Sequence, residues 1–345
     1  MFRIIAVAEA TKTQPPGVAM KFSASLRSVS AAVAVGLGLL CGTLVHAQSY
    51  PSKPIRVIMP YPPGAGADLV LRMVTDKLAA SLGQPFVVDY KPGASTIIAS
   101  EALARSAPDG YTIGFVTDSL IINPIFKKLG YDARTDFAPI TTLTDVPLVV
   151  ATHPSVPAKN LQEFVAYAKA NPGKLAYGSL GYGGPHYILV EWLKLLSGMD
   201  LLHVPYSGSA PALNAAIAGQ VQLMLVGPAI GLQHAKTGRL NVIAVTPAKR
   251  LAAAPQIPSI AESGYKDFDF TAWYGMAAPG KTPPEIVTRL SQDIAKALRG
   301  GELEEKLLGL GLVPAPITPE EFAARWRRDE AYFSRVIKLT GARGE

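Results

Sequence analysis

The feature that most constrains this chain is a repeated switch between short β-rich apolar runs and longer segments with helical apolar spacing. Ile55–Met59 is an apolar run that ends in a Pro/Gly turn, and Leu69–Leu82 then places apolar side chains at helical spacing before Gly83. Phe86–Val88, Ile97–Ala107 and Thr112–Val116 continue the alternation as strand, helix and strand. Because parallel strands need a crossover connection, this order predicts a parallel sheet.

A second block of the same kind follows, so the sequence predicts an α/β protein with two lobes. The helical segments of this block are 161–170, 187–197 and 210–218, and its extended segments are 176–178, 221–225 and 240–246. Three helical segments close the chain, at 284–298, 302–310 and 319–337. Three helices cannot easily complete another sheet, so we expect them to pack back on the first lobe.

This arrangement makes the chain cross between the lobes twice. The apolar segments Pro147–Thr152 and Thr271–Ala278 lie between the two blocks and are the expected crossing strands of a hinge. Lobe 1 is then residues 48–150 plus 270–345, and lobe 2 is residues 151–269. Ligands of α/β sheets bind at the carboxyl ends of strands, so the expected site is a cleft between the lobes.

The first 47 residues have the pattern of a secretory signal peptide and its upstream residues. Lys21 and Arg27 precede an apolar run over 31–41 that is shorter than a membrane span, and the small residue Ala47 marks the expected cleavage point before Gln48. Translation can start at Met1 or at Met20. The alternatives are a lipoprotein anchored through Cys41, which Leu40 disfavours, and an uncleaved membrane anchor. We therefore expect an exported protein.

Composition excludes several partners and cofactors. The chain has 33 Lys and Arg against 26 Asp and Glu, and these basic residues are spread out rather than clustered, so nucleic acid is a poor partner. A single cysteine can form neither an internal disulfide nor a thiolate zinc site. The histidines after residue 47 show no metal-ligand spacing, so neither a metal nor a cofactor is expected.

Two glycine-rich loops join a strand to a helix start. The first is Pro60–Asp68, where Asp68 can cap the helix; it is neither a Walker loop nor a dinucleotide fingerprint. The second is Tyr177–His186, where Pro185 suits the first helical position. Each loop alone can be a plain turn. Two such loops on opposing lobes would direct two helix N-termini, and their free amides, at one small anionic molecule.

The sequence also resembles the Bug-type periplasmic solute-binding receptors of tripartite tricarboxylate transporters. The resemblance covers nearly all of the chain after the signal peptide, through many ordered segments. They are Tyr50–Arg56, Tyr61–Gly64, Lys91–Ala94, Ala107–Thr112, Ile122–Pro124, Asp136–Pro139, Asn171–Leu175, His203–Ala212, Ala244–Thr246, Lys249–Arg250, Pro258–Gly264 and Trp273–Gly275.

This resemblance implies a two-lobed periplasmic-binding-protein-like α/β fold with two crossing strands as its hinge. It implies a non-enzymatic receptor that closes on a small carboxylate and delivers it to membrane permease subunits, and we expect that receptor to be a monomer. Three loops supply ligand contacts in the family, through backbone amides and water. Carried over, these contacts are Tyr61, Gly64, Ala65, Gly66, Ala67 and Asp68; Thr117 and Ser119; Ser179, Gly183, Gly184 and His186; with Tyr206 and Ser207 nearby. Asp68 is expected to be a cap rather than a contact.

Departures from the family pattern bear on the ligand. Ala65 and Ala67 stand where the first loop often has glycine and threonine, and Val226 stands at a commonly acidic position. An acid there could receive an amino group, so its absence favours a carboxylate without one. Tyr61, Tyr182 and Val226 could line an apolar middle, and an aromatic or aliphatic dicarboxylate is the expected solute.

Other functions stay open at this stage. His186 can be a ligand donor, a pH switch or a packed residue. Ser179 and Ser207 have no base at motif spacing, so an exported hydrolase or isomerase acting on an anion is the weaker alternative, with no catalytic residue assigned. A ligand-sensing receptor that docks on a signalling protein is another alternative.

Overall fold

Two β-sheets carry the part of the chain that the structure describes. The structure is a computed structural model, and it describes residues 50–64, 66–182 and 184–344. The strands are β1 (Ile55–Met59), β2 (Phe86–Tyr90), β3 (Thr112–Thr117), β4 (Phe137–Val146), β5 (Val149–Thr152), β6 (Ala176–Ser179), β7 (Leu202–Pro205), β8 (Leu223–Val226), β9 (Asn241–Val245), β10 (Ala272–Pro279) and β11 (Val313–Pro314).

Helices surround both sheets. They are α1 (Gly66–Leu82), α2 (Ile97–Ala104), α3 (Ser119–Phe126), α4 (Leu161–Ala170), α5 (Pro185–Ser197), α6 (Ser209–Ile217), α7 (Pro228–Lys236), α8 (Pro284–Leu298), α9 (Glu302–Gly309) and α10 (Pro319–Thr340). A 3₁₀ turn, Ala94–Thr96, precedes α2. The predicted helices match these bounds to within three residues at each end.

The first sheet has the strand order β11-β4-β10-β3-β1-β2. β1 pairs in parallel with β2 and β3, which confirms the predicted parallel unit. β3 is buried along its whole length, as expected of a parallel strand covered on both faces. β10 and β4 are antiparallel additions, and the two-residue strand β11 extends the edge beside β4. The closing segment therefore contributes this short strand to the first sheet in addition to its helices.

The second sheet has the strand order β7-β6-β8-β5-β9. β6 is parallel to β7 and β8, while β5 runs antiparallel between β8 and β9. All five strands come from residues 149–245. The carboxyl ends of β6, β7 and β8 consequently share one edge, and each leads into a helix.

The first crossing between the sheets is short, and the return crossing is longer. β4 ends at Val146 in the first sheet and β5 begins at Val149 in the second, so Pro147 and Leu148 make the first crossing. Thr246 ties this crossing to the return segment, since its amide donates to the Leu148 carbonyl over 2.9 Å. Each segment that was predicted to cross contains a strand of one sheet only: β5 belongs to the second sheet, and β10 belongs to the first. The lobe limits stay a proposal, and we propose placing the first one at Leu148.

The C-terminal helix α10 touches elements of both sheets. It begins in a capping box of Thr318 and Glu321 and ends at Gly341, whose φ is 67°. It packs on β4 and α3, as predicted for the first lobe, and also on α5 of the second block. There the Arg335 guanidinium lies 5.9 Å from the ring centroid of Trp192. The last helix thus braces both halves.

Candidate functional site

A buried carboxylate organises the first glycine-rich loop. Asp68 is the third residue of α1 and only 2% exposed. Its oxygens accept hydrogen bonds from the Gly64 amide (2.8 Å), the Tyr90 hydroxyl (2.7 Å) and Arg72 Nε (3.1 Å). Burial opposes ionisation, but these donors outweigh it and lower the pKa of Asp68. Asp68 thus holds the loop in place, as expected of a cap. The Gly64 amide donates to Asp68 and is not available to a ligand in this arrangement, which corrects the expectation for that amide.

The start of α1 keeps amides available. Gly66 and Ala67 are its first two residues, and amides in a first helical turn have no partner within the helix. Gly66 is exposed, and a methyl group added to it would meet no atom within 4 Å. Ala67 packs its side chain in the core. Gly66 therefore faces open space, while Ala65 lies outside the described residues.

The end of β3 brings together two hydroxyls and a cluster of aromatic rings from two strands and a loop. Tyr61 Oη and Thr117 Oγ1 lie 3.4 Å apart. The Tyr61 ring packs edge-on against Phe115, whose centroid is 5.2 Å from that of Tyr274 on β10. Tyr61 and Thr117 were predicted site residues and meet as expected. Tyr274 was missed, because its segment was assigned to the hinge.

Asp118 lies between the predicted contacts Thr117 and Ser119. It is 2% exposed, and its Oδ2 accepts a hydrogen bond from the Trp273 amide over 3.3 Å. Burial, together with the neighbouring carboxylate of Asp329, raises the pKa of Asp118 well above its usual range. A carboxyl whose ionisation is opposed in this way is a poor counter-ion for an amino group.

The second loop reaches the first sheet's helix α3. A methyl group added to Gly184 would lie 4.0 Å from Ser119 Oγ, so these two predicted residues face each other between the sheets. Pro185 opens α5 as predicted. His186 is half-buried, and its burial lowers the pKa of the imidazole to about 4. His186 is therefore neutral at pH 7, while Gly183 lies outside the described residues.

Ser179 does not present its hydroxyl to the cleft. The residue is 1% exposed, and its Oγ lies 2.7 Å from His203 Nε2 and 3.2 Å from both the amide nitrogen and the carbonyl oxygen of Gly181. His203 packs against the rings of Tyr177 and Tyr187. The Ser179 side chain therefore holds the loop's own backbone, and a ligand contact at this residue stays a prediction.

Two further predicted residues pack inside the second sheet's layers. The Tyr206 ring covers Gly178, where an added methyl group would lie 3.4 Å from its edge. Val226 is 7% exposed, and a methyl group on Gly231 of α7 would lie 3.2 Å from Val226 Cγ1. Val226 is thus mostly covered by α7, and its place in an apolar ligand lining stays a prediction. Ser207 sits just before α6, and its ligand role stays a prediction.

The helices of the second sheet share one kind of start. α5, α6 and α7 each follow a parallel strand and begin after a glycine, namely Gly184, Gly208 and Gly227, with no side-chain cap. By contrast, α4 is capped by Asn160, and α10 by Thr318. Uncapped amides at the shared strand edge have to bind water or a ligand.

Sequence reasoning missed the turn before α2. Ser95 lies on it, its carbonyl accepts a hydrogen bond from Asn123 Nδ2 over 2.7 Å, and Gly181 of the opposite loop lies close to its hydroxyl. The sequence did contain a signal for this turn, because the turn directly follows the predicted strand β2. β2 is parallel to β1, so its carboxyl end lies at the same edge of the sheet as the first glycine-rich loop.

A scan of family models decides the relationship. Residues 70–332 match the model of the tripartite tricarboxylate transporter family receptor, known as TctC. The chain belongs to this receptor family. Among its relatives, BugT of Bordetella pertussis strain Tohama I is 32% identical over 302 residues, covering 87% of this receptor and 93% of BugT.

Solved structures resemble this receptor over most of its length. Rpa4515 of R. palustris, solved with adipate, is 29% identical, with a TM-score of 0.80 over 86% of this chain and 100% of that one. MatC (Rpa3494) from Rhodopseudomonas palustris, with bound malate, is 28% identical, with a TM-score of 0.76 over 84% of this chain and 100% of that one. The periplasmic-binding-protein-like α/β fold is thereby confirmed.

Two searches of the receptor's described residues gave negative results. Within 50–64, 66–182 and 184–344, we find no group of three or more His, Cys, Asp or Glu that could hold a metal ion. None of the helices in that same part of the chain has the length and apolar character needed to cross a bilayer.

Proposed function

We propose that this receptor captures a small carboxylate between its two sheets and delivers it to a tripartite tricarboxylate-type permease without changing it chemically. One observation carries the proposal: Ser119 at the start of α3 and Gly184 at the start of α5 face each other across the two sheets. Neither helix start has a side-chain cap. Pro185 has no amide hydrogen, and the Tyr187 amide donates to the Gly184 carbonyl. The His186 amide is therefore the proposed donor of α5. Membership of the receptor family supports this choice over other anion-binding functions.

The proposed ligand has carboxylates and no amino group. Rpa4515 was solved with adipate and MatC with malate, and neither ligand carries an amine. In this chain Asp68 already accepts three hydrogen bonds, and burial raises the pKa of Asp118, so both carboxyls are poor partners for an ammonium group. The rings of Tyr61, Phe115 and Tyr274 join Val226 in the proposed apolar wall. An aromatic dicarboxylate such as phthalate therefore stays within the proposed range.

A binding panel tests this class. Purified protein is screened by thermal shift with malate, succinate, adipate, phthalate, glutamate and aspartate, because a ligand that binds only the folded state raises the melting temperature. Hits are measured by calorimetry. We expect at least one acid without an amine to bind more tightly than either amino acid. Tighter binding of glutamate or aspartate than of every other acid would refute the proposed class.

A second candidate function, hydrolysis, has one observation in its favour. Ser179 Oγ lies 2.7 Å from His203 Nε2, a nucleophile–base distance that the spacing of the sequence did not reveal. Against it, Ser179 is 1% exposed, and both bonds to Gly181 occupy the same hydroxyl. Incubating the protein with each hit and following the acid by chromatography separates the candidates. We expect full recovery; conversion that Ser179→Ala abolishes would favour the enzyme.

Periplasmic localisation belongs to the same proposal. The proposed signal peptide, residues 1–47, lies outside the described residues. Amino-terminal sequencing of the exported protein should read from Gln48. A chain that keeps residues 1–47 in the exported fraction would contradict cleavage at that point.

A further inference from the structure

The turn between β2 and α2 has an unusual backbone. After Gly93, with φ of 123°, the consecutive residues Ala94, Ser95 and Thr96 have φ of 46°, 51° and 77°. Positive φ is uncommon for residues other than glycine, and for the β-branched Thr96 it is a clear outlier. Such backbone strain is unfavourable, and it collects at functional sites. The turn is therefore held in place by its surroundings.

Those surroundings come from the helices of the first sheet. Asn123, one turn beyond Ser119 on α3, donates from Nδ2 to the Ser95 carbonyl over 2.7 Å and is only 4% exposed. Ser100 of α2 donates from Oγ to the Thr96 carbonyl over 3.0 Å. The left-handed turn is thus fixed from both sides, and the position of Ser95 is set by α3, whose start is part of the proposed anion site.

The loop of the second sheet lies directly opposite. A methyl group added to Gly181, whose φ is 103°, would lie 3.4 Å from Ser95 Oγ. Beside this contact is a gap of about 60 Å³ lined by Ser95, Asn123 and Tyr182, among others. Ligand pockets have volumes of roughly 300–1,000 Å³, so this gap is a rim and not the solute site itself.

We propose that Ser95 is a specificity-determining residue: it is the stop against which Gly181 closes, and it thereby sets the length of dicarboxylate that the closed receptor encloses. This inference rests on the proposed function. Both anion-binding helix starts are fixed within their own sheets, so the distance at which the sheets stop determines the separation of two carboxylates held between them. A smaller side chain at 95 lets the loops approach and favours a shorter acid. A larger one has the opposite effect.

Substitutions of opposite size test the proposal. Ser95→Gly removes the stop, while Ser95→Asn enlarges it with a residue that tolerates the left-handed region. Thr96→Gly is the matched control, because it relieves backbone strain in the same turn without altering Ser95. Calorimetry measures Kd for succinate, glutarate, adipate and pimelate with the wild type and each variant.

For each pair of successive acids, we compare the Kd of the shorter acid with that of the longer one. We expect Ser95→Gly to improve the relative affinity for the shorter acid, and Ser95→Asn to improve it for the longer acid. The shift should be about fourfold per methylene, as the value of a buried methylene implies. Thr96→Gly should leave the ratios unchanged. Unchanged ratios in both Ser95 variants, an equal weakening of all four acids, or an equal shift in Thr96→Gly would overturn this proposal alone. A wild type that binds none of the acids would overturn it together with the proposed dicarboxylate ligand.

Discussion

At the scale of single residues, the first loop contains a negative charge where an anion is expected to bind. Asp68 lies in the first turn of α1, so its charge would repel a carboxylate unless it were compensated. Arg72 supplies that compensation through a 3.1 Å ion pair, and Tyr90 donates to the other carboxylate oxygen. Arg72 is therefore part of the loop's structure.

Replacing Asp68 tests this compensation. Asp68→Asn should lower the free energy of unfolding at pH 7 by about 1.5–3 kcal/mol, because a buried hydrogen-bonded charge is lost. The folded-state pKa of Asp68 is lowered, so its stabilisation is complete above the unfolded value near 3.8 and is lost as pH falls through the folded value. Urea unfolding at pH 7 and pH 3 measures the difference.

The matched control is Asp76→Asn, at an exposed position on the same helix. It should change the unfolding free energy by less than about 0.5 kcal/mol. A gap between wild type and Asp68→Asn that stays the same size at both pH values would contradict the role assigned to the charge.

Sequence reasoning found residues whose role depends on local pattern and missed those that depend on strand register. Asp68 was predicted to act on its own loop, and it does. Ser179 was searched for a base at motif spacing, but its partner His203 lies on β7. The parallel pairing that places Tyr177 beside His203 brings it there. No pattern in one sequence fixes which strands pair or in what register.

At the scale of elements, the start of α1 is the clearest test of amide-based binding. Gly66 is the first residue of the helix, a position that proline favours, so Gly66→Pro should fold while losing one amide donor. A lost hydrogen bond to a charged ligand costs roughly 1.5–3 kcal/mol, or about ten- to more than a hundredfold in Kd. Calorimetry with the tightest acid of the panel measures the loss.

Glu302→Pro is the matched control, since it places proline at the first residue of α9, another helix that follows a glycine. It should bind the acid as the wild type does. If circular dichroism shows both variants folded and Gly66→Pro also binds normally, the amide at position 66 takes no part in holding the anion.

The elements themselves followed from the sequence better than their arrangement did. Apolar runs bounded by Pro and Gly located β1, β2 and β3, and helical spacing located α4 to the residue. β4 was missed because threonines interrupt its apolar pattern, although Thr141, Thr142 and Thr144 are fully buried. β10 was expected to be a crossing, because its place between β3 and β4 depends on long-range pairing.

At the scale of the whole molecule, the two sheets are already in contact in this structure. Ser95 and Ser119 approach the opposite loop, while Pro147, Leu148 and Thr246 form the narrow connection between the sheets. A ligand held by both helix starts stabilises this closed arrangement, because an open one offers only half of the contacts. The brace between α10 and α5 has to adjust during any such motion.

Small-angle scattering tests closure. The free protein should give a larger radius of gyration than this structure predicts for residues 48–345, and a saturating acid from the panel should bring the curve toward that prediction. Acetate at equal ionic strength is the control and should leave the curve unchanged. Superimposable curves for free and saturated protein would contradict a closing hinge.

The central place of β10 also has a consequence for the order in which the protein can be assembled. During synthesis, β3 and β4 emerge long before the strand that belongs between them, and all five strands of the second sheet emerge in the interval. The second sheet can therefore form while the first is incomplete, with strand edges still open to pairing with other chains. In a nascent chain, the open strand edges of the first sheet can pair with other chains until residues 272–279 have been synthesised.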